Sequence, residues 1–164
     1  MKKGANRTVG INPGTRYLGI AVFDGSELFD WRIKVFPGKW TKEKMTRMLE
    51  LISGLIERYR PRLISLKKLH SSRSSKNLKT LVSRIVAIAK RNKVRVVRYS
   101  IKELEKIFLA DKKPNKRNLA EKIVSDFPVL IHENEKEKAN KNSYYMRAFE
   151  ATALGMARFY QQHI

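Results

Sequence analysis

The sequence contains no cysteine and no long apolar run. Among its 164 residues Cys is absent, which excludes disulfides, thiolate nucleophiles and Cys-ligated zinc. No apolar run approaches the ~20 residues of a membrane helix, and the basic start Met1-Lys2-Lys3-Gly4 lacks the apolar stretch of a signal peptide. We therefore expect a soluble intracellular protein. A chain of this length can bury its own core, so a single domain over residues 1–164 is predicted.

Acidic residues are also scarce. The chain has 15 Asp plus Glu against 36 Lys plus Arg, for a net charge of +21. The stretch from Arg58 to Lys102 holds 15 basic residues and no acid. Because an unpaired basic surface repels itself and lowers stability, a standing polyanionic partner is expected. A membrane surface would normally require a basic amphipathic helix or a lipidation motif, so nucleic acid is the favoured partner.

Hydrophobic patterning predicts an α/β fold. Residues 7–36 resemble three strands separated by two turn sequences, Asn12-Pro13-Gly14-Thr15 and Asp24-Gly25. A helix capped by Thr41 follows and ends before Pro61, because its apolar residues recur every three or four positions. Further elements are predicted in the order strand 63–66, helix 78–89, strand 94–99, helix 100–109, helix 118–127, polar loop 132–143 and helix 144–160. This order predicts a sheet that starts antiparallel and continues parallel, flanked by helices.

Three places could carry chemistry. Gly10-Ile11-Asn12-Pro13-Gly14-Thr15 allows a close backbone approach to a ligand, although a short Gly/Pro cluster by itself is more typical of an ordinary hairpin. Ser65-Leu66-Lys67-Lys68 ends a buried strand, where sites form in open α/β sheets, although such a strand can also simply emerge into solvent. Glu150 in the last helix lies between apolar residues, so it could border the buried face or be exposed like most helical Glu.

Taken together, these motifs resemble the RuvC group of Holliday junction resolvases in the ribonuclease H-like superfamily. The first strand of that group reads hydrophobic-Gly-Ile-Asp-Pro-Gly-Thr, which is similar to residues 9–15 here, and its second strand contains Gly, as residues 17–22 do. Its fourth strand ends in Glu, at the place of Lys67, and its last helix carries acidic motifs ending in Ala-Leu, similar to residues 149–154. The resemblance covers nearly the whole chain and implies a mixed sheet of strand order 3-2-1-4-5.

The resemblance also implies a chemistry. In the family, carboxylates from the first strand, the fourth strand and the last helix hold two Mg²⁺ ions that hydrolyse phosphodiesters. The positions that match these carboxylates are Asn12, Lys67 and Glu150, of which only Glu150 is acidic. Glu150 is thus the one candidate metal ligand, and Mg²⁺ binding is not favoured. Since two of the three expected acids are missing, we expect nuclease activity to be lost or impaired.

Three accounts of these replacements stay open. The chain could be a natural pseudo-nuclease, or Asn12 could be a laboratory substitution, which would leave Lys67 unexplained. Alternatively, an active Mg²⁺-dependent junction endonuclease could use relocated acids such as Asp24, Glu133, Glu135 or Glu137. A structural protein that packs nucleic acid is a further alternative.

Two groups of basic residues are the expected nucleic-acid contacts. The first surrounds the end of the fourth predicted strand and the second precedes the helix at 118–127, and their members are Lys67, Lys68, Arg73, Lys76 and Lys79, then Lys112, Lys113, Lys116 and Arg117. DNA is favoured, in duplex or branched form, with a four-way junction as the family's substrate. The family's recognition of branched DNA usually involves a dimer, so the resemblance also implies a homodimer.

Overall fold

A five-stranded sheet organises the chain. The computed structural model describes residues 6–70, 72, 74–130 and 146–162. Its strands are β1 (Arg7–Pro13), β2 (Tyr17–Asp24), β3 (Glu27–Val35), β4 (Leu63–Lys67) and β5 (Arg95–Tyr99). They lie in the order β3-β2-β1-β4-β5. The pairs β1–β2 and β2–β3 are antiparallel, whereas β1–β4 and β4–β5 are parallel. The predicted mixed sheet and its strand order are confirmed.

Five helices of the described residues flank the sheet. They are α1 (Lys42–Tyr59), α2 (Lys76–Arg91), α3 (Ile101–Phe108), α4 (Lys116–Asp126) and α5 (Met146–Gln162), with a short 3-10 turn at Pro128–Leu130. The Thr41 side chain caps α1, as predicted, and Ser100 and Glu103 form a reciprocal capping box at α3. Arg60 adopts a left-handed conformation with φ of 45° directly before Pro61, which ends α1. No described helix has the length and apolarity needed to cross a bilayer.

Several boundaries differ from the predicted ones. β1 continues through Asn12 and Pro13 because these residues pair with Gly19 and Leu18 across the hairpin. Asn12 therefore lies in the strand rather than in a turn. Helix α4 starts two residues early because Asn115 caps it. The predicted loop at 132–143 and the first two residues of the predicted last helix lie outside the described residues.

The sheet separates two apolar layers. One layer joins the sheet to α1 and α2 and includes Ile11, Met48 and Ile85. The other joins it to α3, α4 and α5 and includes Phe23 and Phe149. Helix α5 lies directly over β1 and β2. The residues of β1 that face α5 are therefore the ones that can share a site with it.

Lys44 is a buried charge that the apolar pattern of α1 does not indicate. It is 2% exposed, and its ammonium Nζ donates a hydrogen bond to the Gly38 carbonyl oxygen at 2.7 Å. Burial lowers the pKa of Lys44, and the nearby charges of Arg16 and Arg47 lower it further. The Lys44 side chain thus anchors the loop before α1, although its burial disfavours the charged form of its amine.

This arrangement predicts an alkaline pH dependence of stability. The pKa of Lys44 is lower in the folded chain than the ordinary value of about 10.4. Between the lowered pKa and the ordinary one, the unfolded chain therefore binds more protons than the folded chain. The Lys44 contribution to stability should accordingly rise with pH up to the ordinary value. The measurement is denaturant unfolding of wild type and Lys44→Met at several alkaline pH values, with the exposed Lys42→Met as control. Parallel pH curves for wild type and Lys44→Met would contradict the expectation.

Candidate functional site

Three side chains meet at the carboxyl ends of β1 and β4. The Asn12 amide Nδ2 donates a hydrogen bond to Glu150 Oε1 at 3.0 Å. The Lys67 ammonium Nζ donates to the same oxygen at 2.9 Å and forms an ion pair with it. These are the three positions that the resemblance aligned with the family's carboxylates, and the fold brings them into direct contact.

Strand register and glycines explain why they meet. Gly10 of β1 lies beside Ser65 of β4, and since side chains alternate along a strand, Asn12 and Lys67 point to the same face as these two residues. Helix α5 packs very closely against that face of the sheet. A Cβ added at Gly10 would lie 2.1 Å from the Ala151 carbonyl oxygen. The absence of a side chain at Gly10 therefore lets α5 deliver Glu150 to the strand ends.

The carboxylate of Glu150 is buried and its charge is compensated internally. The Glu150 side chain is 5% exposed and that of Lys67 is 27% exposed. Glu150 therefore borders the buried face and is not a solvent-exposed helical Glu. A buried carboxylate is costly unless it is paired and hydrogen-bonded. Lys67 and Asn12 supply the pairing, while Lys67 remains open to solvent on one side.

The same cluster does not fit a divalent metal. Mg²⁺ requires several hard and mostly anionic oxygen ligands. Here one carboxylate is present, and an ammonium already neutralises it. Among the described residues, the Asn12 oxygen Oδ1 and the Ser65 oxygen Oγ are both buried without a hydrogen-bond partner, so two neutral oxygens are available. Across residues 6–70, 72, 74–130 and 146–162, no three His, Asp or Glu side chains gather into a metal-binding group.

A double-mutant cycle measures the pair. Lys67→Met leaves the Glu150 carboxylate buried with Asn12 as its remaining donor, so we expect it to destabilise the fold. Breaking a fully buried pair costs about 3–5 kcal/mol, and the partial exposure of Lys67 reduces this to about 1–2 kcal/mol. Lys67→Met/Glu150→Gln should recover much of the loss because no buried charge remains. The measurement is urea unfolding of the four proteins, and additive effects of the two substitutions would show that the pair is not coupled.

The first predicted basic group lies largely at this edge of the sheet. Lys68 follows β4, Lys76 begins α2 and Lys79 lies one turn later, and all three are exposed. Arg73 lies outside the described residues. The structure thus places three exposed cations on the elements that flank Lys67.

The second predicted group lies between α3 and α4. Lys112, Lys113, Lys116 and Arg117 are all exposed. Arg117 forms a surface ion pair with Glu121 at 3.5 Å. In the described part of the chain, no hydrogen bond or ion pair joins this group to Asn12, Lys67 or Glu150, so it forms a separate basic surface.

Arg147 is a site residue that the sequence prediction omitted. It precedes Glu150 by three positions on α5, and its guanidinium lies over the Tyr17 ring at 4.8 Å. A Cβ at Gly14 would lie 3.1 Å from an Arg147 guanidinium nitrogen. Arg147 therefore covers the β1–β2 turn beside Asn12. The three-residue spacing from Glu150 was the one available indication, because such residues share a helix face.

Known structures with this fold include Holliday junction resolvases. No protein-family model matches the sequence, and no curated protein matches it. The structure is similar to "Thermus thermophilus RuvC structure", with a TM-score of 0.72, 15% identity, and coverage of 96% of this chain and 95% of that chain. A structure of T. thermophilus RuvC in complex with Holliday junction substrate matches with a TM-score of 0.72 and 16% identity over 96% of this chain and 94% of that one.

A second resolvase shows the same architecture. The yeast mitochondrial Holliday junction resolvase Ydc2 matches with a TM-score of 0.61 and 14% identity, covering 95% of this chain and 80% of that chain. At these identities the likeness establishes the fold. The chain has a ribonuclease H-like α/β fold similar to that of the RuvC and Ydc2 structures.

Proposed function

We propose that this chain is a nucleic-acid-binding protein that uses a RuvC-like domain, spanning residues 1–164, without metal-dependent cleavage. Duplex or branched DNA is the favoured ligand. The observation that carries the proposal is the contact between Lys67 Nζ and Glu150 Oε1 at 2.9 Å. An internal ammonium holds the one carboxylate at the strand ends, where the resemblance would place metal ligands.

The charge distribution supports binding. The acid-free stretch from Arg58 to Lys102 includes β4, α2 and β5. Lys67 has three N–H donors, of which one serves Glu150, and its side chain is 27% exposed. Lys68 follows it in the sequence and Lys76 begins α2, and both are exposed. Together these groups offer a phosphate backbone several positive contacts at one edge of the sheet.

The test is the salt dependence of binding to labelled duplex, four-way junction and RNA. The logarithm of the association constant should fall linearly with the logarithm of salt concentration, with a slope near −0.9 for each duplex phosphate contact. Lys76→Gln should make the slope shallower by about 1. Lys90→Gln is the matched control, since Lys90 is exposed on the same helix but about 21 Å away along it. Binding that is absent or independent of salt would reject the proposal.

The same assay separates the proposal from a packing role. A protein that packs nucleic acid without regard to shape should bind duplex, junction and RNA equally at matched salt. Preference for the junction or the duplex favours the recognition of DNA. Sedimentation of the chain alone and with the junction tests the homodimer that the resemblance implies.

A further inference from the structure

A second basic site lies at the opposite end of the sheet. A cavity of about 420 Å³ opens between the amino ends of β1, β4 and β5 and the last two turns of α5. Its volume falls in the usual range for small-ligand sites. Thr8 in its wall and Asn12 in the candidate site are four residues apart on β1, about 13 Å at the rise of a strand. The cavity is therefore separate from the Asn12–Lys67–Glu150 cluster.

Register and helix periodicity build the walls of this cavity. Thr8, Leu63 and Arg95 lie side by side on three adjacent strands, and all three line the cavity. The opposite wall is one face of α5, since its lining residues follow a spacing of three, four and seven positions: Gly155, Arg158, Phe159 and Gln162. A Cβ added at Gly155 would overlap the Phe23 ring, so the absence of a side chain there lets α5 pack closely against the sheet.

The lining is strongly cationic. Arg7, Arg62, Arg95 and Arg158 all contribute to it. The Arg7 guanidinium is already held by the Tyr59 carbonyl oxygen at 3.3 Å. Among the described residues, the guanidinium groups of the other three arginines have no hydrogen-bond or ion-pair partner. The carbonyl end of α5 is a negative pole that disfavours an anion, but three full positive charges outweigh that partial charge.

We propose that this cavity binds a nucleotide. Arginine guanidinium groups match the geometry of phosphate oxygens. Phe159 lies in the same wall and is 37% exposed, so it offers a ring on which a base can stack. The ligand is a phosphate carried by a nucleoside, either a free nucleotide or the phosphorylated terminus of a strand.

The site is tested by measuring how well AMP and adenosine displace a fluorescent nucleotide from the protein. AMP should bind, and adenosine should bind at least about tenfold more weakly, because charge-assisted hydrogen bonds to the phosphate are lost. Arg95→Gln/Arg158→Gln should weaken AMP binding by at least about tenfold. Arg84→Gln, which removes an exposed arginine from α2, should leave it unchanged. Phe159→Ala should weaken the binding of AMP but not the binding of pyrophosphate.

Strand probes identify the source of the phosphate. If a strand terminus is the ligand, a 5′-phosphorylated oligonucleotide should bind more tightly than its 5′-hydroxyl counterpart, and Arg95→Gln/Arg158→Gln should abolish that difference. If a free nucleotide is the ligand, Arg95→Gln/Arg158→Gln should weaken the binding of AMP and leave the affinities of both oligonucleotides unchanged. Equal affinity for AMP and adenosine, an equal loss with Arg84→Gln, or no binding of any phosphate probe would overturn the proposal. Lys76→Gln should not change AMP affinity, so failure here is distinguishable from failure of the proposed function.

Discussion

Replacement of Gly10 by alanine is expected to destabilise the fold by about 3 kcal/mol, at the upper end of what overpacking typically costs. The added Cβ would lie 2.1 Å from the Ala151 carbonyl oxygen and 2.7 Å from the Gly155 backbone nitrogen. Both atoms belong to the backbone of α5, so no side chain can rotate away. The helix itself must move, and with it Glu150.

The measurement is thermal and denaturant unfolding of Gly10→Ala, with Gly54→Ala as control. Gly54 lies within α1, and a Cβ there would meet nothing within 4 Å. Alanine at this exposed helical position should stabilise the chain by about 1 kcal/mol. If both variants change stability in the same direction and by similar amounts, the close approach of α5 to β1 is not what positions Glu150.

The second large effect is expected from restoring two acids. Asn12→Asp/Lys67→Glu places three carboxylates where wild type has one carboxylate and one ammonium. Without metal, their mutual repulsion should lower the melting temperature. Saturating Mg²⁺ or Mn²⁺ should then raise it by about 5–10 °C, because a ligand at a hundred times its dissociation constant stabilises by about 2.7 kcal/mol.

The single variant Asn12→Asp shows whether Lys67 blocks metal binding. Asn12→Asp alone keeps Lys67, which can pair with the new carboxylate, so its melting temperature should not respond to Mg²⁺. Wild type should not respond either. If wild type gains as much as the double variant, Lys67 does not prevent metal binding and the interpretation of the site is wrong.

Local patterns predicted the elements well, because the forces involved are local. The capping box of α3 depends on Ser100 and Glu103, three residues apart, and the apolar spacing of α1 identifies its buried face. The antiparallel start and parallel continuation of the sheet followed from the succession of strands and helices, and its strand order followed from the resemblance. The extension of β1 through Asn12 was not predicted, because it depends on pairing with Gly19 across the turn.

The three positions of the candidate site came from the resemblance, but the contacts between them did not. The resemblance aligned Asn12, Lys67 and Glu150 with the family's carboxylates, and only Glu150 was considered a metal ligand. That Lys67 would form an ion pair with Glu150 depends on how closely α5 approaches the sheet, which no local pattern reports. The same holds for Arg147, whose place beside Tyr17 depends on the β1–β2 turn passing under α5.

The basic cavity at the opposite end of the sheet could not be predicted from local patterns either. Arg62, Arg95 and Arg158 are far apart in the sequence, and only the parallel register of β4 and β5 and the path of α5 bring them to one cavity. The acid-free stretch from Arg58 to Lys102 indicated an anionic partner. It could not indicate that Arg62 and Arg95 line this cavity while Lys67 lies at the opposite end of the sheet.

We propose that this chain binds nucleic acid at the carboxyl ends of β1 and β4, around Lys67, without cutting it. The most direct measurement is incubation of a labelled four-way junction with wild type across a titration of Mg²⁺ and Mn²⁺, resolving bound complexes on native gels and strand lengths on denaturing gels. We expect a salt-sensitive complex with intact strands at every metal concentration. Metal-dependent cleavage that disappears in Glu150→Gln would contradict it.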